Sequence, residues 1–210
     1  IALRIGGNGL PTSTFYNLPE DKKDKLLRSA IKEFTRVSYN EVSINQIVKD
    51  AGISRGSFYQ YFKDKSDLLV FILQDFLVSL HECALTSLEN SNGDIFTMFA
   101  DLYDCLSVEC LQDDRYQFFR NLFTSMRANN EELKQVPCDM NVPDFDPIFF
   151  KEHFNRDTLV YTEDEDVLLL QSLLFNLTKS SVIKLILQPK DRERIRNDLN
   201  RTLMMIKTGC

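Results

Sequence analysis

The sequence predicts an all-α fold: three short helices packed together at the N-terminal end, then a larger helical domain. Three observations carry this expectation. Apolar residues recur at three- and four-residue steps along most of the chain, the spacing of one buried helical face. Glycine (7) and proline (6) are scarce among 210 residues, which suits long helices joined by few elaborate turns. Within 43–62, a short capped helix, a glycine and a second short capped helix follow one another.

Taken in order, residues 1–18 are expected to form a tail. Its Gly6-Gly7-Asn8-Gly9 has no strand before it and no phosphate-loop lysine after it, so it carries no nucleotide-binding motif. Pro19-Glu20-Asp21 opens the first helix, with acids placed to complement the helix dipole. Leu26, Leu27, Ala30, Ile31, Phe34 and Val37 form its apolar stripe, and Tyr39-Asn40 ends it. Ser43 and Gln46 have the spacing of a capping box for the second helix, whose buried face is Ile44, Ile47, Val48 and Ala51. Gly52 supplies the left-handed backbone of a tight turn. Ser54 caps a third helix, 55–61, and Asp64, with Asp67 three residues on, caps a fourth that runs to about 87. Further helices are expected over about 94–111, 114–127, 146–155, 163–187 and 190–206, with a Pro-containing loop at 129–147. Thr162 and Glu165 suggest a second capping box, and Pro189 breaks the apolar helix that follows.

Charge is split along the chain. The net charge is −6, yet residues 19–65 hold ten Lys and Arg against seven Asp and Glu, while the remainder holds 15 against 24. The five cysteines, Cys83, Cys105, Cys110, Cys138 and Cys210, show no paired spacing, which fits reduced thiols in a cytoplasmic protein. Without a CxxC pair, and with His81 and His153 far apart, no metal site or cofactor is expected. Gln171, Asn176, Lys179 and Lys184 interrupt the apolar stretch 167–187, so it reads as a buried helix and not a membrane span. No nucleophile–base pair, metal cluster or phosphate loop is present, so catalytic residues are not expected and the chain does not read as an enzyme.

The segment 43–62, SINQIVKDAGISRGSFYQYF, has the parts of a helix-turn-helix. Its first helix must fix the second at an angle that turns the second helix's N-terminal residues toward the major groove. Arg55, Gly56 and Ser57 stand at that edge as base readers. The arginine fork can give paired hydrogen bonds to guanine, the serine hydroxyl both donates and accepts, and the glycine lets the backbone come close. Ser43, Tyr59, Tyr61 and Lys65 offer hydroxyls and a charge suited to phosphate oxygens. Ser43 is expected to cap its helix as well. Phe58 and Phe62 read as core.

The run Ala51-Gly52-Ile53-Ser54-Arg55-Gly56-Ser57-Phe58-Tyr59-Gln60-Tyr61-Phe62-Lys63-Asp64-Lys65-Ser66-Asp67-Leu68 resembles the signature of the tetracycline-repressor (TetR) family. The resemblance extends back through Ile31, Phe34, Tyr39, Ser43 and Ile47, covering roughly 19–71. Carried over by position, it implies a phosphate contact for Ser43 and Lys65, a DNA-backbone contact for Tyr59, and base reading by Arg55, Gly56 and Ser57. Gln60, where the family often has an aromatic residue, and Tyr61, where histidine is common, depart from the pattern. The resemblance also implies a DNA-binding domain at 19–66 and a ligand-binding and dimerisation domain at 67–210. The partners it implies are a double-stranded operator, a second copy joined through helices 163–187 and 190–206, and a small-molecule effector.

An aromatic-rich set in the C-terminal part (Phe96, Phe99, Tyr103, Tyr116, Phe118, Phe119, Phe123, Phe149, Phe150, Phe154) reads first as core packing. As a group it allows a pocket for an apolar or aromatic ligand, around Phe99, Tyr103, Phe119, Arg120 and Phe123, with Tyr103, Asn121 or Arg120 as polar anchors. The expected activity is therefore a homodimeric repressor released from a palindromic operator by such a ligand. The alternative is an architectural or protein-partner DNA-binding factor that uses the same fold without an inducer.

Overall fold

The computed structural model describes residues 11–127, 153–159 and 162–209, and no strand occurs among them. The expected tail segment 1–10, loop 129–147 and most of helix 146–155, with Cys138, Phe149 and Phe150, lie outside the described residues. Helices in chain order are α1 (Ser13–Tyr16), α2 (Glu20–Arg36), α3 (Ile44–Ala51), α4 (Arg55–Tyr61), α5 (Lys65–Asn90), α6 (Ile95–Cys110), α7 (Asp113–Arg127), α8 (Asp164–Leu187) and α9 (Arg192–Thr208). Contacts group the chain into two units: Ile1–Leu77 with Asp113–Pro143, and Val78–Gln112 with Asp144–Cys210.

In the first unit, α2 packs on α3 and α7. Leu26, Ala30 and Phe34 are buried as the stripe requires, but Ile31 is 41% exposed. The face instead takes in Ser29 and the carboxylate of Glu33, at 3% exposure. Glu33 explains why a charge is tolerated there. Its two oxygens accept from the Arg36 guanidinium at 2.8 and 2.9 Å, and one of them also accepts from the Ser43 N–H at 3.1 Å. The capping box expected of Ser43 and Gln46 is thus half made. Ser43 Oγ accepts from Gln46 N, but the Gln46 side chain turns to Asp50, and Glu33 on α2 takes the reciprocal place. A complete box that the sequence reading did not identify, Ser38 with Glu41, caps the short 3-10 turn Tyr39–Glu41 just before α3.

Gly52, at φ 72°, closes α3 in the left-handed conformation, and Ser54 caps α4 by accepting from Ser57 N. Asp64 accepts from Ser66 N and Asp67 N at the start of α5. The segment expected to be tail contains α1, whose Phe15 is 1% exposed and lies 5.0 Å from Phe62 and 5.2 Å from Phe71, ring to ring. Thr12 N–H donates to Tyr61 O at 3.0 Å, closing the carbonyl end of α4.

The second unit gathers α6, α8 and α9 with the later part of α5. α9 presents Ile195, Leu199 and Leu203 to its core, as the periodicity predicts. Arg196 Nε donates to Asp104 at 2.7 Å and Lys207 to Asp94 at 2.6 Å, so α9 runs antiparallel to α6. The box expected at Thr162 is absent. The N-cap is Glu163, with no side-chain bond, because Arg156 reaches across to Thr162 O and Asp164. At Gly93 (φ 80°) a Cβ would sit 2.5 Å from Asn155 N, so any other residue there would force the backbone to shift. The cysteines depart from the expectation of reduced thiols: Cys83 on α5 and Cys105 on α6 form a disulfide, while Cys110 is buried. Their separation of 22 residues carries no local signature, because adjacency of the two helices brings them together. α5 is long and apolar enough to cross a membrane by length and composition, but Leu68, Leu69, Leu73, Phe76, Leu80, Ala84 and Leu88 along it are buried within the protein.

Hydrogen bonding from Arg36 holds the Glu33 carboxyl below its usual value, against burial, which pushes it up. A depressed folded value means that the stabilisation is complete above the unfolded value near 4.5 and is lost as pH falls through the folded one. Glu33→Gln should therefore cost about 1–3 kcal/mol at neutral pH. In urea unfolding, the gap from the parent protein should narrow below pH 4.5.

Candidate nucleic-acid interface

The first unit's polar surface centres on an open cleft of about 490 Å³, lined by Tyr39, Val42, Ser43, Ile44, Asn45, Arg55, Asp64, Lys65 and Ser66. The structure thereby brings Ser43, Arg55 and Lys65 together, three of the residues singled out by sequence. Each is delivered by the start of a helix: Ser43 caps α3, Arg55 is the first residue of α4, and Lys65 is the first of α5. Helix N-termini carry positive dipole ends, which add to the charges of Arg55 and Lys65 and are offset in part by Asp64, itself the cap of α5.

Arg55 and Tyr59 form one exposed edge. The Arg55 guanidinium donates to Tyr59 Oη at 3.2 Å and lies 5.6 Å from the centre of that ring. Its other terminal nitrogen donates to Asn45 Oδ1 on α3, also at 3.2 Å. Asn45 was not singled out by sequence. A single asparagine in the first turn of a helix carries no local signal, and its role follows only from the angle between α3 and α4. Tyr59 is 45% exposed, so its hydroxyl is presented outward with the arginine.

The remaining site residues differ in placement. Ser57 Oγ lies 2.8 Å from Ser54 Oγ, within the α4 cap. Gly56 is exposed, and a Cβ added there would meet nothing closer than Ser54 Oγ at 3.8 Å, so the fold itself does not demand glycine. Tyr61 is 8% exposed with its ring against Phe15. That burial withdraws the face a phosphate contact would need, and the helical period explains it: Tyr61 shares a side of α4 with Phe58 and not with Tyr59. Lys65 is half-buried, with its ammonium 4.6 Å from the Tyr39 ring centre and donating to Tyr39 O at 3.2 Å and Asn40 O at 3.4 Å.

A family model described as "Bacterial regulatory proteins, tetR family" matches residues 26–71. A second, "Tetracyclin repressor-like, C-terminal domain", matches residues 94–210, more than half of the chain. The chain belongs to the TetR family. HTH-type transcriptional regulators of Staphylococcus aureus, from strains USA300 and NCTC 8325 / PS 47, are each 27% identical over 157 residues, covering 73% of this chain and 78% of theirs. The fold is similar to that of a TetR transcriptional regulator from Rhodococcus sp. RHA1, with a TM-score of 0.55 and 16% identity, covering 88% of this chain and 94% of that one. This TetR-family protein is a DNA-binding transcriptional regulator with an N-terminal helix-turn-helix and a helical C-terminal domain.

Of the side chains expected around an effector, Phe99 and Tyr103 of the TetR-family chain are buried in the second unit. Phe119 and Phe123 stack in the core of the first, with centroids 6.2 Å apart, and Arg120 is exposed. Asn121, expected as a polar anchor, has its amide turned to the end of α2. His81 and His153, distant in sequence, come close enough to interact. Burial, and then the His153 charge, hold His81 below its usual value. Among the described residues, no cluster of three metal-ligating side chains forms.

Gly56 separates demands of the fold from demands of the ligand. Gly56→Ala should raise stability by about 0.5–1 kcal/mol, because alanine is the better helix former and the space is open. On the reading proposed below, in which Gly56 faces the bases, it should also weaken DNA binding, because the added methyl would stand between backbone and groove. Thermal unfolding and a DNA titration on the same protein check both signs.

Proposed function

We propose that this regulator is a homodimeric repressor, working in the cytoplasm by binding and not by catalysis, which leaves a palindromic operator when a small apolar or aromatic ligand binds. The exposed Arg55–Tyr59 edge, braced by Asn45, carries the reading. An arginine held at both terminal nitrogens is aimed before it meets a base, and paired donors from arginine suit guanine in the major groove. Ser43, Tyr59 and Lys65 would take phosphates on either side, with Gly56 and Ser57 facing the bases beside Arg55.

Support for the dimer lies in the last two helices. Leu168, Leu169 and Leu173 on α8 are 43%, 70% and 52% exposed, and Met204 and Met205 on α9 are 61% and 45% exposed. Large apolar side chains gathered on one helix pair favour a covered face. A two-fold dimer would place the two recognition helices about 34–36 Å apart, one turn of the duplex.

Support for a ligand lies in the second unit. Tyr103 Oη, Gln171 Oε1 and Thr178 Oγ1 are buried without a hydrogen-bond partner among the described residues. Each such atom costs about 1–3 kcal/mol if left unmatched, so a bound molecule with an apolar body and a polar group would gain by pairing one of them. Tyr103→Phe should stabilise the ligand-free protein by about 1 kcal/mol or leave it unchanged. It should also reduce the thermal shift given by any ligand found in a screen.

The functional test is selection from a random DNA library at near-physiological salt. The expected result is a palindrome with half-sites one helical turn apart. Arg55→Ala should then cost about 1–3 kcal/mol and relax preference at one base position. Equal loss on operator and random DNA would remove the base-reading role. Salt-sensitive binding without sequence preference would remove the operator reading.

A further inference from the structure

We infer that Asn121 and Ser125 of α7 are positioning residues for DNA binding: they fix the carbonyls that hold Lys65 at the cleft. The inference rests on the reading of Lys65 as a phosphate contact, and every group in it belongs to the first unit.

A helix ends with unpaired carbonyls, and α2 ends where the chain turns toward α3. The Asn121 amide nitrogen donates to three of them, Phe34 O at 3.2 Å, Thr35 O at 2.8 Å and Val37 O at 3.0 Å. Its orientation is fixed, because Gln117 Nε2 donates to Asn121 Oδ1 at 2.7 Å and so leaves the NH2 group facing α2. One turn further on, Ser125 Oγ donates to Asn121 O at 2.8 Å and accepts from the buried N–H of Tyr39 at 3.1 Å. The two side chains thus hold both sides of the bend 34–39.

Tyr39 is the next link. Its N–H is taken by Ser125, its carbonyl takes the Lys65 ammonium, and its ring lies under that ammonium. The backbone that Ser125 holds is therefore the backbone that Lys65 binds. Lys65 cannot keep its place on the lip of the cleft if the 3-10 turn Tyr39–Glu41 shifts. A displacement of about 1 Å is enough to spoil a charge-assisted bond to a phosphate oxygen, whose preferred length spans only a few tenths of an ångström. None of these α7 side chains needs to touch DNA.

The test uses the full chain and the selected operator, with affinity measured over a range of salt. Lys65→Ala should lower the slope of log K against log salt by about one, the loss of one phosphate contact. Asn121→Ala should lower it by a similar amount, and the double variant should be no weaker than Lys65→Ala alone, because both changes remove the same contact. Ser125→Ala, which deletes a single oxygen and serves if Asn121→Ala folds poorly, should act in the same direction and lose its effect in the Lys65→Ala background. A merely structural role would lower stability but leave the salt slope intact. If Lys65→Ala lowers the slope while both α7 variants leave it unchanged, or if their losses add to that of Lys65→Ala, the positioning role is overturned. If Lys65→Ala itself leaves the slope unchanged, the phosphate reading fails and the positioning role falls with it.

Discussion

The final turn of α2 is the joint on which the DNA-facing half of this protein depends. Two unmet needs converge there: α3 begins with N–H groups that lack helical partners, and α2 ends with carbonyls in the same condition. Glu33 meets the first need by accepting from Ser43 N, and Asn121 meets the second through three carbonyls. Because one side is served by a buried carboxylate and the other by an amide from a distant helix, the bend between α2 and α3 is fixed in both directions. The placement of Ser43 follows from it, and then that of α3, the Gly52 turn and α4.

Each polar anchor sits against apolar packing that excludes water. Phe34 stacks on Tyr39 and meets Phe118 edge-on, so the hydrogen bonds at the bend are flanked by aromatic rings. The bond from the Tyr39 N–H to Ser125 Oγ is buried and therefore the most expensive of them to lose. At the far end of α4, Phe15 fills the space against Phe62 and Phe71, and Thr12 satisfies the last backbone carbonyl. The recognition helix, only seven residues long, is thus held at its C-terminal end by a chain segment outside the helix-turn-helix itself.

Much of this was legible in sequence. The helices, the caps at Ser54 and Asp64, and the left-handed glycine at 52 follow from local rules, because caps and turns are chemistry between near neighbours. Arg55, Tyr59, Ser43 and Lys65 could be picked out as candidate contacts for the same reason. What local rules could not reach was every bond between elements. Gln46 stood at the right spacing for a capping box, but Glu33, ten residues earlier than Ser43, was better placed for the work. Asn45 gave no signal, and Asn121 was expected at a ligand and not at the end of α2, since their partners lie 10 and more than 80 residues away. Tyr61 misled because a phenol resembles nearby Tyr59 in type, while two steps of about 100° around a helix carry the side chain from solvent to core. The pairing of Cys83 with Cys105 was invisible for the same reason as Asn121.

Arg55 enters any encounter with DNA already occupied. Its guanidinium already gives one N–H from each terminal nitrogen to Asn45 and to Tyr59, so under the proposed reading a base competes with those two partners. Most base steps offer no pair of acceptors good enough to compete, and over them the side chain gains nothing by leaving its own protein. Under the proposed reading, a guanine in register would make the exchange worthwhile, and the released Tyr59 hydroxyl would become available to the nearby backbone at the same moment. Discrimination in such an arrangement comes as much from the bonds a wrong sequence fails to displace as from those a right one forms.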